Sequence, residues 1–130
     1  MPAQNIIPNL FNTIYNNEMR RKGECIIAPT SRLAREVLNT MKRHGFIDGF
    51  EYFEDGRGGK FKVTLNAKIN KCKAITPRFN VKKDGYIDWE RNYLPSYSRG
   101  ILIISTPKGV MSHHEARKEG LGGVLIGYVY

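Results

Sequence analysis

The chain is poor in the groups that catalysis and metal binding most often need. Its two cysteines, Cys25 and Cys72, lie far apart and fit no metal spacing, which excludes a zinc knuckle. A reduced, intracellular protein is expected. A single bridge is open by parity, but a chain of 130 residues does not need one. Of three histidines, His113 and His114 are adjacent. On a helix they are expected to project to different sides and not to share one metal. The only directly adjacent carboxylates, Glu54 and Asp55, sit beside a turn and are expected to be solvated. No nucleophile has an adjacent base. The segment Thr106-Pro107-Lys108-Gly109 is not a phosphate-binding P-loop. An enzyme is therefore disfavoured, and no catalytic residue, cofactor or metal is expected. Neither a signal peptide nor an apolar run long enough to span a membrane is read in the sequence, so no membrane partner is expected.

Acidic residues are also scarce: 12 Asp and Glu against 21 Lys and Arg, a net charge of +9 and a pI near 9.7. A basic chain of this size points to a polyanion, nucleic acid first, with a merely solvated basic surface as the plain alternative. The charge is uneven. Residues 1–65 carry ten basic against seven acidic side chains, and residues 66–130 carry eleven against five. The second half should own more of any polyanion contact.

Periodicity then gives the elements. Ile7, Leu10, Phe11 and Ile14 make one apolar face of a first helix starting near Ile6, with Pro8 tolerated in its first turn. Arg20, Arg21, Lys22 and Gly23 end it, as a solvated exit or as a phosphate contact. Glu24 to Ala28 reads as a strand closed by Pro29. Thr30 or Ser31 can cap a second helix running to about His44, with Ala34, Val37, Leu38 and Met41 inward and Gly45 as its stop. Phe46 to Glu54 and Lys60 to Leu65 read as a hairpin around Asp55-Gly56-Arg57-Gly58-Gly59. Arg57 should be exposed at its tip. The glycines serve either the turn or the close approach of a phosphate backbone. Asn66 to Lys83 is a basic middle, with Lys68, Lys71, Lys73, Arg78, Lys82 and Lys83 and no acid. Asp84 can cap a short helix that holds Ile87, Trp89, Tyr93 and Leu94 and ends at Pro95. Trp89 is expected to be packed, and Tyr97 and Arg99 exposed.

The last thirty residues organise the rest. Ile101 to Ile104 and Val124 to Tyr130 are β-branched or apolar runs that fit buried strands. Between them a polar loop and a short helix are expected. Ser105, Thr106, Pro107, Lys108 and Gly109 hang hydroxyls, an ammonium and a glycine from a stiff strand, groups that suit phosphate, sugar and base edges. Ser112 and Glu115 have capping-box spacing and Gly120 is placed as a helix stop. Ser112 is claimed by both the cap and an RNA contact. The fold class is α+β: an N-terminal α-β-α-β-β lobe (1–68) followed by a mainly β C-terminal lobe with short helices (69–130).

The spaced pattern Ser105-Thr106-x-x-Gly109-Val110-Met111-Ser112-His113-His114-Glu115-Ala116-Arg117, then Gly122-Gly123 and Tyr128-Val129-Tyr130, resembles the universal eighth protein of the small ribosomal subunit in its archaeal and eukaryotic form. Asn70-Lys71-Cys72, Pro77-Arg78-Phe79, Asp55-Gly56-Arg57 and Leu94-Pro95 add to the likeness, which covers nearly the whole chain. The resemblance implies a primary binder of small-subunit ribosomal RNA, docked on an irregular stem of the central domain and supporting assembly and translation. It implies neighbouring small-subunit ribosomal proteins as partners, a cytoplasmic place in the ribosome and no obligate homo-oligomer. It implies that Ser105 and Thr106 reach base and sugar atoms, and that the amides around Gly122 and Gly123 admit the RNA backbone. Two departures stand out: Pro107 follows the Ser-Thr pair in place of a hydroxyl or small residue, and Lys73 stands where glycine is common.

Regular A-form grooves offer side chains little readable sequence, so a specific binder seeks distorted sites, which short hydroxyls on a stiff strand suit. The lysines and arginine of the basic middle, Lys71, Lys73, Arg78 and Lys82 among them, with Arg117 and Lys118, would supply the salt-dependent attraction. The rivals are an adaptor for acidic proteins, separable by ribonuclease sensitivity of co-sedimentation, and a nuclease, which predicts RNA turnover.

Overall fold

The computed structural model describes residues 6–28, 30–96 and 99–130. Among them, four helices and seven strands alternate as α1 (Ile6–Met19), β1 (Glu24–Ile27), α2 (Arg32–Arg43), β2 (Ile47–Phe53), β3 (Lys60–Leu65), β4 (Cys72–Val81), α3 (Tyr86–Tyr93), β5 (Ile101–Thr106), β6 (Gly109–Ser112), α4 (His113–Glu119) and β7 (Gly123–Val129). This is the α+β class that the sequence predicts. The expected roles of Pro29 and Tyr97 fall outside the described residues.

The first sheet has the order β1-β3-β2, all antiparallel. Alternation puts Phe61, Val63 and Leu65 inward from β3, where they meet α1 and α2. Both helices bury the stripe read from the sequence: Leu10, Phe11 and Ile14 from α1, and Ala34, Val37, Leu38 and Met41 from α2, are fully buried. Each large apolar side chain of this kind contributes about 1.5–3 kcal/mol by leaving water. Ser31 caps α2, its hydroxyl accepting from the Ala34 N–H at 3.0 Å, and Gly45 at φ +79° stops it. The β2–β3 turn is held by Asp55 Oδ1, which accepts from the N–H groups of Arg57 (2.8 Å) and Gly59 (2.9 Å). Those two bonds, the first the larger, hold the exposed Asp55 carboxyl below its usual range. Gly56, Gly58 and Gly59 all have positive φ, so turn geometry accounts for them.

The second sheet has the order β4-β7-β5-β6. Its two faces serve two cores. One face joins α1, α2 and the first sheet in a continuous core that includes Cys72, Ile103, Val110, Ile126 and Val129. Contact with α1 is so close that a Cβ on Gly127 would lie 2.6 Å from Phe11 Cζ. The other face, with Leu102, Ile104, Leu125 and Tyr128, packs under α3 and α4.

Two expectations need correction. Residues 105–109 are not a free loop: β5 runs on through Thr106, pairs Thr106 with Gly109, and returns as β6. The turn residues are Pro107 and Lys108, and proline's fixed φ suits the first of them. Asp84 does not cap α3; Gly85 occupies the cap position without a side-chain bond. What fixes α3 instead is Tyr86, almost fully buried, whose hydroxyl donates to the Leu121 carbonyl at 2.7 Å.

Candidate nucleic-acid interface

At one end of the second sheet the strand ends of β4, β5 and β7 converge. A Cβ on Gly123 would lie 2.3 Å from the Ser105 carbonyl oxygen, and one on Gly122 would lie 2.5 Å from the Val81 oxygen and 3.1 Å from Lys83 N. The fold thus gathers Ser105, Gly122, Gly123, Lys82 and Lys83. Both lysines are exposed. The sequence marks them only as part of the basic middle; the β4–β7 register, Val81 opposite Gly123, is what places them beside Ser105. The close approaches also change why the glycines are needed: protein backbone already fills the space that a side chain would take.

The hydroxyl pair divides. Ser105 is half-buried, and its hydroxyl makes no hydrogen bond among the described residues. Thr106 is 8% exposed; its hydroxyl donates to the Gly109 carbonyl at 2.7 Å and accepts from Lys108 N at 3.1 Å. Thr106 therefore locks the hairpin. Lys108, exposed, pairs loosely with Glu119 at 3.6 Å, a surface contact worth little and easily exchanged. Gly109 has φ +117°, and a Cβ there would lie 3.5 Å from Glu36 Oε1, so α2 runs beside this hairpin.

Ser112 is fully buried, with both halves of its capping box formed to Glu115 at 2.9 and 3.1 Å. Its hydroxyl is used by the cap, one of the two roles that the sequence left open. Burial opposes ionisation of Glu115, but hydrogen bonds from Arg43, the Ser112 N–H and His44 outweigh it and pull the carboxyl down to about 2. This ties α4 to the end of α2.

Arg117, a candidate RNA contact, also has a structural partner within the protein. Its guanidinium bonds the carboxylate of Glu90, which is 5% exposed. Glu90 also sits 2.9 Å from His113 Nε2, without a well-aligned hydrogen bond. His113 Nδ1 accepts from the Leu102 N–H at 3.0 Å, which fixes the proton on Nε2. Burial first, then the neighbouring charges of His114 and Arg117, push His113 down to about 3. The two adjacent histidines do not diverge as expected. At the start of α4 their rings lie 3.9 Å apart. No group of metal-binding side chains occurs among the described residues. Glu90 carries no motif, so sequence reasoning missed it; the one signal was an acid on the predicted apolar side of α3.

The other predicted residues are dispersed. Arg78 is exposed on the stretch where β4 loses register with β7. Arg57 is exposed at the tip of the other sheet. Lys71 sits at the far end of β4, where its N–H and that of Asn70 both donate to the Tyr130 carbonyl. Lys73, opposite Tyr128, is exposed. Trp89 is packed, as expected, but within a ladder that the sequence did not reveal: Phe79, Trp89, Tyr93, Tyr128 and Tyr130 follow one another with ring centroids 5.0, 6.3, 5.3 and 6.1 Å apart.

Fold and surface together define a basic α+β protein that offers a hydroxyl-bearing, lysine-flanked strand end. Comparison with known proteins gives this class a family. The model for Ribosomal protein S8 matches residues 5–130. The chain is 62% identical over 130 residues to the small ribosomal subunit protein uS8 of Nitrosopumilus maritimus (strain SCM1), with 100% of both chains covered. It is likewise 62% identical to that of Cenarchaeum symbiosum (strain A), and 50% identical over 133 residues to that of Sulfolobus acidocaldarius, again with 100% of both chains covered. The chain belongs to the ribosomal protein S8 family.

Proposed function

We propose that the chain is a structural component of the small ribosomal subunit that binds an irregular stem in the central domain of its RNA through the end of the second sheet. It supports assembly and translation by holding RNA, with neighbouring ribosomal proteins as further contacts, and it performs no catalysis. Ser105 reads the distorted site. Gly122 and Gly123 keep the strand ends close, so that backbone amides and the Ser105 hydroxyl form one surface. Lys82, Lys83 and Lys108 hold phosphates beside it, and Arg78, Arg57 and Lys71 add attraction at longer range. The observation that carries this reading is the half-buried, unpartnered Ser105 hydroxyl on a rigid strand flanked by exposed lysines. A preorganised hydroxyl loses little entropy on binding.

The test compares Ser105→Ala and Thr106→Val, each against the irregular stem and against a regular duplex of equal length. Ser105→Ala should weaken stem binding by about 1–3 kcal/mol, the range of a good base contact, and leave the duplex unaffected. Thr106→Val should lower stability by about 1 kcal/mol through its lost hydrogen bonds. Equal weakening on both RNAs by Ser105→Ala would show that the hydroxyl reads nothing.

A further inference from the structure

The end of α1 and the link between the two sheets enclose a groove of about 450 Å³, lined by Arg21, Lys22, Asn66, Ala67 and the buried Glu18. We propose that this groove is a second RNA-backbone site, which takes phosphates from an RNA segment other than the one read by Ser105. The inference rests on RNA binding by the chain and adds a separate surface to it.

Backbone conformation is the first ground. The described non-glycine residues with positive φ are Arg21 (58°) and Ala67 (62°), and both line this groove. Side chains in this region cost about 1–2 kcal/mol each, and such strain collects at functional sites. At a helix stop glycine would be free of it, yet an arginine is held there. Its backbone is over-determined: Arg21 N donates to Glu18 O at 3.0 Å and Lys22 N to Asn17 O at 3.0 Å.

Charge is the second ground. Arg20, Arg21, Lys22, Lys68 and Lys71 are all exposed, and none forms an ion pair among the described residues. The nearby acids are occupied. Glu18 Oε2 accepts from Ile69 N at 3.3 Å, Asp48 accepts from Asn66 Nδ2 at 3.1 Å, and Glu24 pairs with Lys62 at 3.3 Å. Hydrogen bonds from N–H groups do not cancel the charge of Glu18 and Asp48, but the five exposed cations outnumber these two acids and leave the rim net positive. Of the apolar residues lining the groove, Leu65 and Ile69 are buried and Ala67 alone is exposed, so the lining offers no large aromatic or aliphatic anchor of the kind that protein partners use. A polyanion fits such a rim better.

Separation is the third ground. Tyr130 accepts from Lys71 N beside the groove, whereas Gly123 abuts Ser105. The strand between them spans about 23 Å at about 3.3 Å per residue. Screening at physiological salt acts over about 8 Å, so the two surfaces attract RNA independently.

The experiment uses the full chain with Arg20→Gln, Arg21→Gly and Lys22→Gln, titrated over a salt series with the isolated irregular stem and with the whole central domain. Each lost phosphate contact lowers the slope of log affinity against log salt by about 0.9. The domain slope should fall by about 2–3, and stem affinity should stay within about twofold. The single variant Arg21→Gly guards against misfolding: glycine relieves the strained φ, so its melting temperature should not fall, yet the domain slope should still drop by about 1. No change on either RNA, or an equal loss on both, overturns the separate site. A wild-type chain that ignores the stem overturns the RNA reading itself.

Discussion

Gly123→Ala separates two explanations of the paired glycines. If Gly123 exists to admit RNA, alanine should spare stability and damage binding. The structure predicts the reverse order of effects. The new methyl would stand 2.3 Å from the Ser105 oxygen, 2.7 Å from Ile104 Cγ2 and 3.0 Å from the Ser105 carbonyl carbon. Ordinary contact needs about 3.5 Å, so β7 must move about 1 Å from β5. Overpacking of this kind costs about 1–3 kcal/mol, and a weakened ladder bond beside Ser105 and Val124 adds about 1. The stiffer unfolded chain returns about 0.4–1 kcal/mol. The net loss is about 2–3 kcal/mol, which for a domain of this size lowers the melting temperature by about 10 °C. Urea unfolding followed by tryptophan fluorescence would measure it, with Gly120→Ala as control. Gly120 has φ +69° but open space around it, so its cost is conformational alone, about 1 kcal/mol. A Gly123→Ala protein as stable as wild type but unable to hold the stem would refute the packing argument.

Other expectations follow from the same coordinates. Arg117→Met should destabilise more than Glu90→Gln, by about 3 kcal/mol against about 1. The first strands a buried carboxylate, whereas the second frees a half-exposed guanidinium that can turn to water; chemical denaturation of both variants compares them. His113 titrates near 3 in the folded chain and near 6.5 when unfolded, so its contribution is present above pH 6.5 and is lost as pH falls towards 3. Stability at pH 5 should then lie about 1–2 kcal/mol below that at pH 7.5, and His113→Gln should flatten the profile. Glu115, pulled down to about 2, adds a further loss as pH falls from about 4.5. Burial first, with Glu18 nearby, raises the Cys25 and Cys72 thiols to about 11 and about 12. A thiol reagent at pH 8 should label neither until the protein unfolds, and quick labelling of the native chain would contradict their burial.

The sequence was most legible where period and cap coincide. The apolar faces of α1 and α2, the Ser112 box and the Gly120 stop all rest on local rules, and the chain obeys them. It was least legible where tertiary contact decides. Strand β4 breaks its alternation between Ala74 and Phe79, so it read as a charged stretch with stray anchors. Hairpin β5–β6 hid behind its polar residues, because Thr106 satisfies the turn from within. Asp84 has the right chemistry for a cap, but the helix is set by Tyr86 reaching Leu121, a contact between residues far apart in sequence. In the candidate site, the motif pointed to Ser105 and Thr106 together. Which of two neighbouring hydroxyls is unpartnered became visible only once both had been placed.

Strand β7 lies between β4 and β5, although it follows both in the chain. Until residues 123–129 arrive, β4 has no ladder partner and the Leu102–Ile104 segment lacks one of its two neighbours. The first sheet has the same arrangement, with β3 between β1 and β2, but its strands are complete by residue 65; the second waits longer, with apolar edges open to mispairing. The core under α1 and α2 also draws on Ile126 and Val129, so neither sheet is fully covered until the last strand is in place.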